Sequence, residues 1–378
     1  MSVANQNRRE EFFELEYAEL IRLNPIKMDV PFSDSSAGPF THVNGSCWMN
    51  LYSKDGIVGG APVPGGITQI LPLVLTGKKE KYGDIFNRIF WKNRNNGGFT
   101  GAAFSALGAL DLLFNDILAQ RSGLPLHRYW GATRDWVHVY ASGHGSNVTI
   151  EDMIAEAESF KARGYKVYKM KIGTNFGTEI PLDVERVRIM REVIGPEGKL
   201  AIDANQIWTA DEAMDFFRKV EQYDIFWYEE PVHSHELAEI KKICELCPVP
   251  VSMGESLKNR YFFPAYLDAG VGQIQANPPL MGYDDWSAIR DMTYEREGVM
   301  FSGGGVQSTA FLATAHEDCH EEYLQPRREP VLRCMGRRPE ERDGKFFLPS
   351  DPGLPIKLDM NYVKKNKLLG SVEYFWAK

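Results

Sequence analysis

From residue 137 to residue 325, short apolar runs alternate with stretches of helical period, and this alternation constrains the fold more than any other feature of the chain. Eight strand candidates fall at 137–142, 167–172, 200–204, 225–229, 249–253, 272–276, 299–302 and 322–325, at intervals from the low twenties to the low thirties. Thr149 and Thr209 stand where caps would open the amphipathic stretches 150–163 and 211–220. Strands joined by crossover helices run parallel, and eight such units close into a barrel whose catalytic groups lie at the carboxyl ends of the strands. The predicted fold class is therefore α/β, with residues 136–326 forming a (β/α)8 TIM-type barrel.

Residues 1–135 have another character. Strand-like runs at 12–17 and 47–52 precede an apolar helix at 102–120, with the stripe Ala106, Leu110, Leu113 and Ile117 and a stop near Gly123-Leu-Pro125. This predicts an N-terminal α+β capping domain. Residues 327–378 lose the alternation and are expected to pack back on the cap and complete it. The loops 31–42 and 56–66 of the cap are the expected specificity elements.

The net charge of -8 argues against a nucleic-acid partner, and 43% hydrophobic residues fit a folded globular chain. Five scattered cysteines do not read as a disulfide framework, so a reducing, cytoplasmic setting is expected. Cys244 and Cys247 form a C-x-x-C, but in an amphipathic helical stretch with no second pair nearby. The first ten residues are polar with no apolar run behind them, and no continuous apolar stretch approaches the roughly 18 residues of a membrane span.

Three of the predicted strands end in acids. Asp203, Glu229 and Glu255 follow apolar runs at nearly even spacing. A single carboxylate at a strand end is usually a cap or a solvated charge, but three in phase can supply oxygen ligands to a hard divalent cation. One strand earlier, Lys169 and Lys171 stand two residues apart and so share a face, which in a barrel is the interior. Burying two ammonium groups there requires anions, which the three acids provide.

In these residues the chain resembles the enolase superfamily, in the branch of mandelate racemase, muconate lactonizing enzyme and the acid-sugar dehydratases. Lys169-Met-Lys171 resembles the K-x-K of the second barrel strand, Asp203-Ala-Asn-Gln206 the third-strand metal motif, Glu229-Glu-Pro231 the fourth and Gly254-Glu255 the fifth. Ala106-Leu-Gly-Ala-Leu-Asp111 and Gly123-Leu-Pro-Leu126 resemble the helix joining cap to barrel. The resemblance implies that Asp203, Glu229 and Glu255 bind Mg2+, that Lys171 removes a proton α to a substrate carboxylate, and that Lys169 tunes the site and binds the carboxylate. Asn205 is expected to contact the substrate.

The chain also departs from the pattern. Where that branch carries a sixth-strand Asp and a seventh-strand His, this sequence has Asn277 and Gly304. On the eighth strand, Gln325 stands where an acidic donor to the intermediate is expected. Asn277, Gln325 and His144 are candidate substrate contacts, and His144, His233 and His235, on loops of the catalytic face, are candidates for the missing acid. His42, His127 and His138 read as packing or surface residues.

The expected function is Mg2+-dependent dehydration of a sugar acid to a 2-keto-3-deoxy acid, with a small-molecule carboxylate as substrate and a homo-oligomer as the expected assembly. The alternatives are an epimerase, racemase or lactone cycloisomerase using the same enediolate, and a non-catalytic barrel that only binds carboxylates.

Overall fold

A computed structural model describes residues 8–95 and 101–378, so the first seven residues of the polar N-terminal stretch, and residues 96–100, lie outside the described residues. Two sheets dominate the molecule. The cap sheet has the order β19-β1-β4-β5, built from β1 (Phe12–Leu23), β4 (Cys47–Ser53), β5 (Val58–Val63) and β19 (Leu369–Trp376), with β6 (Lys79–Lys81) also pairing with β1. All of these pairings are antiparallel. A separate hairpin, β2 (Ile26–Phe32) with β3 (Phe40–Val43), carries the loop that reaches towards the barrel mouth.

The second sheet is a closed barrel of eight parallel strands: β7 (Trp136–Gly143), β8 (Val167–Lys171), β9 (Lys199–Asp203), β10 (Ile225–Glu229), β11 (Val251–Met253), β12 (Gln273–Gln275), β13 (Met300–Gly304) and β14 (His320–Leu324). The pair β14 with β7 closes it, Leu324 standing opposite Ser142. Helices between the strands are capped as their sequences predict. Thr149 accepts from the Asp152 amide, and Thr209 forms a capping box with Glu212. The tail divides its contacts. β16 (Glu340–Arg342) and β17 (Lys345–Phe347) form a hairpin that adds to β7 of the barrel, β15 (Met335–Arg337) pairs with β18 (Lys357–Leu358), and β19 returns to the cap.

Cap, barrel and tail meet on the helix Ala102–Arg121. It is long and apolar enough to cross a membrane by composition, but it lies in the interior of the protein, buried on nearly every face. Three of its buried polar residues bind the surrounding parts through their side chains. Asp111 accepts from the Tyr82 hydroxyl and from the Tyr283 amide at 2.6 Å. Asn115 accepts from Arg8 and Trp130 at 2.9 and 3.0 Å. Asp116 accepts from the amides of Gly60 in the cap and Leu354 in the tail at 2.8 and 2.6 Å. One helix thus holds all three parts in register. Gly108 on the same helix lets the barrel segment at Met281 approach so closely that an added Cβ would stand 2.7 Å from the Met281 carbonyl carbon.

Candidate active site

Period-two alternation sends Val167, Lys169 and Lys171 of β8 into the barrel, and β9 and β10 end in the same layer with Lys171 opposite Asp203 and Asp203 opposite Glu229. The result is a buried cluster of charge. Lys169, 1% exposed, places its Nζ 2.8 Å from Glu322 Oε1 and 3.0 Å from Asp203 Oδ2, and also donates to Glu229. Lys171 Nζ lies 2.5 Å from Asp203 Oδ2. Neighbours fix the carboxylates. The Asn205 amide donates to Asp203 Oδ1 at 3.0 Å, Trp227 Nε1 to Glu229 Oε2 at 3.1 Å and Ser142 Oγ to Glu322 Oε1 at 2.8 Å.

Burial works against every charge here, and the neighbours decide the outcome. Lys169 and Lys171 are desolvated, yet the facing carboxylates outweigh that cost and hold both protonated. Asp203 and Glu322 are desolvated too, and the two lysines keep them ionised. Glu229 and Glu255 fare differently. Burial, with repulsion from other acids, raises Glu229 well above the carboxylate range and pushes Glu255 up to about 8.

That imbalance tests the cluster against a metal ion. Four carboxylates (Asp203, Glu229, Glu255 and Glu322) surround two ammonium groups, with Glu230 adding further negative charge beside Glu255, and the Glu255 carboxylate has no hydrogen-bond or salt-bridge partner among the described residues. Among the described residues no three His, Cys, Asp or Glu side chains already converge on one metal position, since the ammonium of Lys169 stands between Asp203 and Glu229. The donor set nevertheless fits a hard divalent cation, being all oxygen and in excess of its counter-charge.

The remaining sequence candidates divide. Asn205 borders the cluster, its side-chain oxygen buried and without a partner. Asn277 reaches the same layer, but its amide is spent on backbone: Oδ1 accepts from Gly304 N and Nδ2 donates to Glu255 O. Gln325 does not enter the barrel. It is the first residue of the helix Gln325–Leu332, and its Oε1 accepts from Arg163 Nη2 at 2.6 Å outside the strand layer. The acid that β14 contributes is Glu322, while its neighbour Glu321 points the other way to Arg328 at 2.5 Å. His144 also turns outward. Its φ of 47° ends the strand alternation, and the imidazole Nδ1 lies 2.9 Å from Glu156 on the outer helix. His233 and His235 are exposed, with ring centroids 5.4 Å apart; the His235 backbone amide donates to His233 Nδ1 at 3.2 Å and His235 Nδ1 lies 3.1 Å from Ser234 Oγ.

The family described as "Enolase C-terminal domain-like" matches residues 152–362, more than half of the chain. The chain belongs to the enolase superfamily. Its relatives place it in the mandelate racemase/muconate lactonizing enzyme branch. It is 27% identical over 304 residues to 3,6-anhydro-alpha-L-galactonate cycloisomerase of Streptomyces coelicolor, covering 80% of this chain and 82% of that one. It is 28% identical over 314 residues to L-talarate/galactarate dehydratase of Salmonella typhimurium, covering 81% and 76%. The fold of that dehydratase, crystallised with Mg and L-lyxarohydroxamate, superposes with a TM-score of 0.84 at 22% identity, over 100% of this chain and 96% of that one. A racemase of Streptomyces coelicolor with bound magnesium gives a TM-score of 0.83 at 23% identity, over 94% and 100%. The enolase-superfamily relatives thus include both lyases and isomerases.

Proposed function

We propose that this enolase-superfamily chain is a Mg2+-dependent acid-sugar dehydratase. The observation that carries the reading is the asymmetry of the barrel interior. Lys169 and Lys171 project from β8, while β12 and β13 on the far side present Gln273, Gln275, Asn277 and Gly304, none of which can accept a proton as a base. Epimerisation ordinarily draws on a base on each face, whereas a syn elimination needs one.

Asp203, Glu229 and Glu255 would hold the cation. When bound, magnesium supplies a Lewis acid for the negative charge that develops on the substrate carboxylate. A cation held by Asp203 would relieve the negative potential that keeps Lys171 protonated, so that its amine could act as base. Neutral Lys171 takes the α-proton, and the C–H electron pair passes into the enediolate. Collapse of the enediolate breaks the β C–O bond, and the Lys171 ammonium returns its proton to the departing hydroxyl, giving water and an enol that tautomerises to the 2-keto-3-deoxy acid. Lys169, held protonated between Asp203, Glu229 and Glu322, binds and polarises the carboxylate, and Asn205 offers its unpaired oxygen to a substrate hydroxyl.

A panel of aldonates and aldarates incubated with the protein and MgCl2 in deuterated water tests this. A 2-keto product from at least one acid is expected. Deuterium entering the α-position without loss of water would make the protein an isomerase, and neither change with metal retained would make it a binder.

A further inference from the structure

We propose that Gln206 is a positioning residue, whose side chain locks together the three loops carrying the metal-ligand acids. This inference rests on the reading of Asp203, Glu229 and Glu255 as metal ligands. Each of these acids lies at or just past the end of its strand, where barrel pairing no longer dictates the path of the backbone. Gln206 spans all three exits. Its backbone amide donates to Glu230 O at 2.7 Å. Its side-chain Nε2 donates to Glu230 Oε1 at 2.8 Å and to Ser256 Oγ at 3.0 Å, and its Oε1 accepts from the Ser234 amide at 2.9 Å. Ser256 closes the triangle by donating to Glu230 Oε1 at 3.4 Å.

Every residue in this knot is within three of a ligand acid, except Ser234, which lies five beyond Glu229. The backbone around it is unusual. Asn205, Gln206 and Glu230 all adopt the left-handed region, at φ of 45°, 69° and 40°. Non-glycine residues hold such angles only where their surroundings over-determine them, and the two donors and one acceptor of the Gln206 amide provide that determination. The same turn aims the Asn205 amide at Asp203 Oδ1. Only an amide of this length fits. A carboxylate would lose both donors and repel Glu230, and an asparagine is one methylene too short to reach Glu230 and Ser256 together.

Groups that orient metal ligands typically change metal affinity about 10- to 100-fold when removed. The test is a titration of the metal-stripped full chain with MnCl2, following free Mn2+ by electron paramagnetic resonance, for the wild type, Gln206→Met, Gln206→Asn, the exchange Gln206→Glu with Glu230→Gln, and Asp203→Asn. The two single Gln206 variants are expected to bind Mn2+ at least tenfold more weakly, with metal-free melting temperatures close to that of the wild type. The exchange, which rebuilds an amide–carboxylate pair in the opposite sense, is expected to recover part of the loss. Wild-type affinity in both single variants overturns the inference, as does a loss that follows the melting temperature, or failure of both to fold. If Asp203→Asn binds as the wild type does, or the wild type binds no Mn2+, the ligand assignment fails and this inference falls with it. If Asp203→Asn alone loses binding, only the role of Gln206 is overturned.

Discussion

The side-chain oxygen of Asn277 accepts a hydrogen bond from the amide of Gly304 at 2.9 Å, so that the second residue beyond β12 is stitched to the last residue of β13. Its nitrogen holds the Glu255 carbonyl at 3.2 Å. Asn277→Leu, similar in size, leaves the buried Gly304 N–H without a partner, and an unsatisfied buried donor costs about 1–3 kcal/mol. Urea unfolding of the metal-free protein should show a loss of that order.

Gly304 also makes room for Glu322, because a Cβ at position 304 would stand 2.8 Å from Glu322 Oε2. Gly304→His therefore cannot simply install an imidazole. The ring must push Glu322 away from Lys169, at the roughly 1–3 kcal/mol typical of overpacking. The variant should melt at lower temperature and show no second face of α-proton exchange in deuterated water. Exchange on both faces would show that the far wall can accept a base.

Lys169→Met removes the cation that Asp203, Glu229 and Glu322 share. Breaking a buried ion pair from one side costs about 3–5 kcal/mol, since the remaining charges are left uncompensated. Urea unfolding without metal should show a loss of that order, and saturating MgCl2 should restore part of it by supplying positive charge to the same carboxylates. If magnesium has no effect on the variant while it stabilises the wild type, the cation and Lys169 do not share those ligands.

At the opposite end of the barrel, His138 and His320 stand with ring centroids 5.7 Å apart. Burial, reinforced by the neighbouring His138 and Lys199, lowers His320 to about 4, and burial with Lys345 lowers His138. Both are therefore held neutral in the folded state, while in the unfolded chain they protonate near 6.5. Their contribution to stability is complete above pH 6.5 and is lost as the pH falls towards 4. His320→Gln should flatten the fall in melting temperature across that window relative to the wild type, and parallel curves would refute the assignment.

The order of elements and the charged core were readable because each follows from a strict period. Lys169 and Lys171 must share a face, and Asp203 and Glu229 end strands whose partners are set by the closing of the barrel. Register at the last strand was harder. Glu321, Glu322 and Gln325 all stand near its end, and placing the strand at 322–325 selects Gln325, whereas β14 begins at His320 and brings Glu322 inside. The strand ends at Leu324, so Gln325 already opens the following helix and is no longer bound by the alternation. His144 was lost for another reason: its left-handed φ ends the alternation one residue beyond β7, which no apolar pattern announces. The bonds of Gln206 were equally hidden, because they join three loops whose separation in sequence says nothing of their contact in space.

The pairing of β19 with β1 places Glu373 beside Arg22, at 2.6 Å across 351 positions of chain. The cap sheet is consequently completed by a strand that follows the whole barrel in sequence. A polypeptide lengthening from its amino end exposes one edge of β1 throughout the synthesis of all eight parallel strands, and only the completed barrel brings the two ends near enough for the loop-closure entropy to be small. Until then the open edge is a site for wrong pairing with other chains, and a chain shortened before Leu369 would carry that hazard permanently.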